Sequence, residues 1–188
     1  MARARDVGAY LLSQGVQDRL ELQKLLFYSQ AWHLAWHGAP LFPETIRAWD
    51  CGPVVGEVWY ELSRGGALTN ASALTPAERE TVDAVCAFYG TFSGTQLSEL
   101  THLERPWAEA WRPERPNPII PLDAMRAYYG AIPCEGKVIP ESYRRGIELL
   151  LGLPPEDLAA LLVDHPTEAT TQDAIAFLEG RETGPWLS

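Results

Sequence analysis

The stretch RLELQKLLFYSQAWHLAWH at residues 19–37 decides the fold of this chain. It contains no glycine or proline, and Gly38 follows it at the place where a helix would end. Asp18 lies three residues before Glu21, which is the spacing of a capping box with Asp in place of Ser or Thr. Apolar residues occupy most sides of the predicted helix, and a helix of that kind belongs in the centre of a protein. We therefore predict a central, buried helix over residues 19–37.

The rest of the chain also carries mainly helix signals. The strongest is Thr75-Pro76-Ala77-Glu78, which combines an N-cap Thr, Pro at the first helical position and Glu at the third, and opens a helix over 76–89. The other predicted helices cover residues 5–14, 53–64, 94–102, 106–112, 123–129, 141–151, 155–163 and 171–179. Ser93 and Gln96 have the spacing of a capping box for the helix at 94–102. Short strands fit only residues 45–49 and 119–120. The predicted fold class is mainly α: a compact multi-helix bundle with at most one or two short strands, plus a helical acidic C-terminal extension.

The charge of the chain bears on the kind of partner it can bind. The formal net charge is -10 at pH 7, and residues 152–188 hold seven acidic residues and one basic residue. An acidic chain repels phosphate backbones, so direct nucleic-acid binding is disfavoured and a basic protein partner is favoured. The alternative that the acidity only keeps the protein soluble stays open.

The cysteines and the apolar runs indicate the compartment. The three cysteines, Cys51, Cys86 and Cys134, are widely spaced and form no CxxC motif, so neither a disulfide scaffold nor a structural zinc site is predicted. The N-terminus does not resemble a signal peptide, and no apolar run approaches the ~18–20 residues that span a bilayer. We expect a cytoplasmic protein without membrane contact.

The candidates for catalysis are weak. His33 and His37 have the i, i+4 spacing that can ligate zinc, but Leu34 stands where HExxH enzymes carry their Glu. A third ligand would have to be the distant His102 or Glu104. The sequence contains no GxSxG, Walker A or GxGxxG motif. We expect no catalytic residue, no metal and no cofactor. A metal-dependent hydrolase is the least favoured hypothesis.

One basic cluster needs an explanation. The basic side chains lie around Trp107 and Trp111 and have acidic neighbours; they are Arg105, Arg112 and Arg115, with Glu104, Glu109 and Glu114 beside them. We interpret this segment as a solvated, salt-bridged face rather than as a phosphate-binding surface.

Four segments together resemble the Panacea domain family. They are LQKLLFYSQAWHLAW at 22–36, PLFPETIRAWDCGPVVGEVW at 40–59, LTHLERPW at 100–107 and AYY at 127–129. They come in the family's order and cover roughly residues 5–130. The resemblance implies a nearly all-helical, non-enzymatic antitoxin of a bacterial or phage toxin–antitoxin pair, such as those that act in phage defence. It also implies that one domain type neutralises unrelated toxins.

The resemblance sets the predicted domains and partners. Residues 1–134 are predicted to form the Panacea-like antitoxin domain, and residues 135–188 an acidic helical extension specific to the toxin. A toxin that acts on RNA or nucleotides would have a basic active-site face. The acidic side chains expected to contact that face are Glu156, Asp157, Asp164 and Glu168.

Twelve motif positions are carried over as candidates for partner binding. They are Gln23, Lys24, Trp32, His33, Trp49, Gly52, Pro53, Val54, Thr101, His102, Pro106 and Trp107. Most of them look like fold determinants, and their exposed members are expected to contribute to the toxin-binding surface. The predicted function is neutralisation of a cognate toxin by direct binding, with an adaptor that delivers the toxin to a AAA+ protease as the alternative.

Overall fold

The computed structural model describes residues 1–154. Within them lie eight α-helices and one two-stranded sheet, so the mainly α class is confirmed. The helices are α1 (Ala4–Ser13), α2 (Arg19–His37), α3 (Gly56–Ser63), α4 (Pro76–Tyr89), α5 (Gly94–Leu103), α6 (Arg105–Ala110), α7 (Leu122–Gly130) and α8 (Glu141–Leu151), and the strands are β1 (Ile46–Trp49) and β2 (Gly52–Val55). The helices predicted at 155–163 and 171–179, and the four candidate acidic residues from Glu156 to Glu168, lie outside the described residues.

Helix α2 is the centre of the fold, as predicted. Every residue from Leu22 to Leu34 is buried, and α1, α4, α5, α7 and β2 all pack against it. The Asp18 carboxylate accepts the backbone N–H of Glu21 at 2.8 Å, and Gly38 ends the helix with a φ of 68°. Because residues 22–34 are buried on all sides of the helix, the polar side chains among them are buried too and need partners inside the protein.

The helix caps of α4 and α5 follow the sequence signals. In each, the N-cap hydroxyl accepts the backbone N–H of the third helical residue, whose side chain accepts the N–H of the cap in return. The pairs are Thr75 with Glu78 and Ser93 with Gln96. Both capping boxes are confirmed, because they depend only on residues three positions apart.

The helix predicted to begin at Pro53 is wrong at its start, because Pro53 lies in β2 and α3 begins at Gly56. Strands β1 and β2 pair antiparallel with Ala48 opposite Pro53. The Ala48 N–H points to the other side and donates to the Pro118 carbonyl at 2.8 Å. Pro53 can therefore sit in the hairpin without a missing N–H bond.

The segment around residues 118–120 borders β1 on the side away from β2. Ile119 forms an antiparallel bridge with Arg47, and the Ile120 N–H donates to the Ile46 carbonyl at 2.9 Å. The inner face of the hairpin contributes Ile46, Ala48 and Val55 to the core. The core also continues past residue 134, where the sequence placed a domain boundary, through Ile139, Tyr143, Ile147 and Leu150.

Gln30 of α2 fixes the chain that leads into the hairpin. Its Oε1 accepts the N–H groups of Leu41 and Phe42 at 2.8 and 3.1 Å, and its Nε2 donates to the Phe42 carbonyl at 3.0 Å. All of these groups are buried.

We predict that Gln30→Met destabilises the protein by about 2–4 kcal/mol, because it leaves three buried backbone groups unpaired in nearly unchanged volume. Urea unfolding followed by tryptophan fluorescence measures this loss. Gln17→Met is the matched control, since Gln17 is exposed. Equal stability of the two variants would contradict the assignment.

Candidate functional site

The candidate site is the hairpin turn at Asp50 and Cys51. Both residues are exposed, while the flanking Gly52 and Pro53 are buried. Gly52 has a φ of 97°, and neither turn residue has a positive φ. A turn followed by a residue in the left-handed backbone conformation is typical of a hairpin with a glycine bulge. This explains why glycine occupies position 52.

Buried donors from three helices hold the backbone oxygens of this turn. The Lys24 ammonium of α2 donates to the carbonyls of Cys51 and Pro53. The Ser98 hydroxyl of α5 also donates to the Cys51 carbonyl, at 2.8 Å. The Trp107 indole of α6 donates to the Trp49 carbonyl at 3.1 Å. The turn is thus exposed on its outer side and fixed from its inner side.

Lys24 is fully buried, and within residues 1–154 it forms no ion pair. Burial lowers the pKa of its ammonium to about 7. Gly52 leaves the space that the ammonium occupies, because a Cβ there would lie 2.6 Å from Lys24 Nζ and 2.7 Å from Thr101 Oγ1. The lysine, the glycine and the threonine are therefore parts of one packing unit.

Aromatic side chains lie beside the turn. The Trp111 indole donates to the Asp50 carboxylate at 3.2 Å and stacks on Trp107 with ring centroids 5.4 Å apart. His102 also packs against Trp107, with ring centroids 4.0 Å apart, and burial lowers the pKa of this histidine. The hydrogen bond from Trp111 holds the side chain of Asp50.

A second buried polar centre forms around Glu104, between α5 and α6. Its carboxylate accepts the hydroxyls of Tyr28, Tyr129 and Tyr143 at 2.8–2.9 Å. Burial raises the pKa of Glu104 to about 7, although the three hydroxyls act in the opposite direction. The expectation that Glu104 belongs to a solvated face is wrong, because the three tyrosines of α2, α7 and α8 enclose it. The neighbouring Arg105 forms its expected ion pair with Glu109, at 2.6 Å.

The structure brings most of the twelve motif positions together, but inside the protein. Ten of them are buried: Gln23, Lys24, Trp32, His33, Gly52, Pro53, Val54, Thr101, Pro106 and Trp107. Trp49 and His102 are half-buried. Sequence reasoning missed Ser98, Glu104 and the tyrosines. Polar residues within apolar helices are the signal that could have indicated the buried network.

Of the three histidines considered as zinc ligands, His33 and His37 of α2 lie side by side. His33 forms a hydrogen bond with the Thr81 hydroxyl at 3.0 Å and stacks on His37 with ring centroids 4.3 Å apart. Burial and the neighbouring His37 lower the pKa of His33 to about 4. In the part of the chain that the structure describes, no group of three or more His, Cys, Asp or Glu residues is placed to hold a metal ion.

No helix of residues 1–154 combines the length and the apolarity that crossing a membrane requires.

A groove lies beside the turn at the protein surface, between the outer face of β1 and α3. Trp49 lies in this groove next to Tyr60, with ring centroids 6.2 Å apart.

These features define a mainly α-helical domain in which buried polar side chains fix a surface β-hairpin. Residues 22–108 match the family described as Antitoxin SocA-like, Panacea domain. The match covers just under half of the chain, and over these residues it confirms the predicted resemblance. The match supports an antitoxin role, and hence a toxin partner, in general terms. No curated protein and no solved structure is significantly similar to the chain.

We predict that Gly52→Ala destabilises the protein by at least about 3 kcal/mol, because backbone strain adds to a clash with Lys24 and Thr101. Gly15→Ala is the matched control: Gly15 has nearly the same φ, 98°, but within residues 1–154 no atom beyond its own chain neighbours lies within 4 Å of the added Cβ. The control should lose only about 1–2 kcal/mol from the backbone. Equal losses in urea unfolding would show that the packing around Lys24 does not require glycine.

The buried Glu104 predicts a pH dependence of stability. Its pKa rises from an ordinary 4.5 to about 7 on folding, so its stabilising contribution is complete below pH 4.5 and is lost as the pH rises through 7. The unfolding free energy of the wild type minus that of Glu104→Gln should fall between pH 5 and 7, by at most about 1.4 kcal/mol per pH unit. Glu99→Gln, which removes the same side-chain carboxylate from an exposed position, is the matched control. A flat difference for Glu104→Gln would refute the assignment.

Proposed function

We propose that this chain is an antitoxin that neutralises its cognate toxin by direct protein–protein binding. The match of residues 22–108 to an antitoxin family carries the proposal. The structure adds a physical reason: donors from α2, α5 and α6 fix the hairpin turn before any partner arrives. A surface that is already ordered loses less entropy on binding, and this favours tight association.

We also propose that the chain acts without catalysis. Three of its signature polar side chains bind the chain's own backbone. Lys24 donates to carbonyls of the hairpin, Gln23 accepts the N–H of Val55 at 2.8 Å, and Thr101 donates to the Ser98 carbonyl at 2.8 Å. Groups used in this way support a scaffold rather than a reaction centre.

Charge supports a basic toxin. The chain has a net charge of -10, and residues 152–188 hold seven acids against one base. Such a charge speeds association with a basic surface, for example that of an enzyme acting on RNA or nucleotides. We propose that Glu156, Asp157, Asp164 and Glu168 take part in this attraction, and their joint replacement by Gln and Asn in the full chain should slow association.

The test is co-expression with the product of the adjacent small gene. Expression of that gene alone should arrest growth, and this protein should restore growth and co-purify with the toxin in a stoichiometric complex. Rescue without a stable complex, and only in hosts that retain AAA+ proteases, would instead identify an adaptor. A neighbouring gene that is not toxic would contradict the antitoxin proposal.

A further inference from the structure

The groove beside the hairpin has the composition of a binding site for a cation. It lies between β1 and α3, has a volume of about 400 Å³, and is lined by Trp49, Glu57 and Tyr60, among others. Two aromatic rings and a carboxylate in one groove are the groups that recognise a guanidinium: the rings through their π faces and the carboxylate through charge-assisted hydrogen bonds.

Trp49 connects this groove to the fixed hairpin. Its carbonyl accepts the Trp107 indole N–H, and its ring packs edge-on against Trp59 with centroids 5.8 Å apart. Its own indole Nε1 is buried without a hydrogen-bond partner in the described structure. Trp49 is half-buried, whereas most of the other signature positions are closed to solvent. The family scaffold therefore places one rigid aromatic ring in a surface groove.

Tyr60 and Glu57 complete the groove from α3. The Tyr60 side chain is 52% exposed, and its ring lies over Gly56, where an added Cβ would be 3.7 Å from the ring. Glu57 precedes Tyr60 by three residues, so both lie on the same helix face. Glu57 is exposed and forms no ion pair with another residue of 1–154.

Arg47, on the same face of β1, is the one cation among the lining residues. Its guanidinium donates to the Asn117 carbonyl at 2.9 Å, so the loop at residues 116–117 holds it. Glu57 has no such partner among residues 1–154, and within this part of the chain it remains available for a charge from outside.

We propose that this groove binds an arginine side chain of the toxin, stacked on Tyr60 beside Trp49 and paired with Glu57. The inference rests on the proposed antitoxin function for the source of the arginine. Arginine fits better than lysine, because its planar guanidinium stacks on rings and pairs with a carboxylate at the same time. The net charge of -10 favours a partner that supplies such basic side chains.

The first test uses the full chain and two short peptides. The probes are acetyl-Gly-Arg-Gly-amide and acetyl-Gly-Gln-Gly-amide, added to ¹⁵N-labelled protein while the indole N–H signals are followed by NMR. The Trp49 signal, assigned through Trp49→Phe, should shift and saturate with the arginine peptide only. Glu57→Gln and Tyr60→Leu should each weaken binding by about threefold, and the double variant by about tenfold.

Glu99→Gln is the matched control, because it removes the same charge from an exposed residue of α5 that does not line the groove. Equal shifts with both peptides, or equal weakening by Glu57→Gln and Glu99→Gln, would overturn the assignment. Glu57 and Tyr60 are exposed, so thermal unfolding of these variants should match that of the wild type.

The second test uses the toxin co-expressed with this chain. The double variant Glu57→Gln with Tyr60→Leu should raise the Kd of the complex about tenfold or more. An unchanged Kd would refute the inference and leave the proposed function intact. Absence of a complex with the wild-type chain, together with arginine-peptide binding, would refute the proposed function but not the preference of the groove for a guanidinium.

Discussion

The buried ammonium of Lys24 is the constraint on which the rest of the structure depends. Lys24 lies on the buried part of α2, and its ammonium donates hydrogen bonds to the carbonyl oxygens of Cys51 and Pro53 in the hairpin. Taking such a group out of water costs several kcal/mol unless fixed acceptors replace the solvent. The turn therefore cannot move away from α2 without leaving this group unsolvated, and so the central helix and the surface hairpin form one unit.

This coupling explains why the signature residues are spread over distant segments of the chain. Lys24 needs the room that Gly52 leaves, and the turn carbonyl that it binds is shared with Ser98 of α5. The Trp107 indole of α6 donates to the Trp49 carbonyl, two residues before Cys51. Any one of these segments without the others would leave a buried polar group unpaired or a cavity open, and both are strongly destabilising.

The sequence predicted what depends on near neighbours along the chain and missed what depends on tertiary contacts. The bounds of α2 and the capping boxes at Thr75 and Ser93 follow from short spacings, and they are confirmed. Pro53 suggested a helix start, because the pairing of Ala48 with the distant Pro118 is not visible in the local sequence. Glu104 looked solvated for the same reason: the tyrosines that enclose it come from three separate helices.

The placement of the signature residues also bears on how one domain type can serve different toxins, as the resemblance implies. Side chains that form hydrogen bonds with the chain's own backbone inside the core are not available to bind a partner. Recognition must then come from exposed neighbours such as Glu57 and Tyr60, which can change without disturbing the network around Lys24. Trp49 belongs to both groups, since its backbone is fixed by Trp107 and its ring reaches the groove. With a fixed interior and an exposed groove wall, different residues can set stability and specificity.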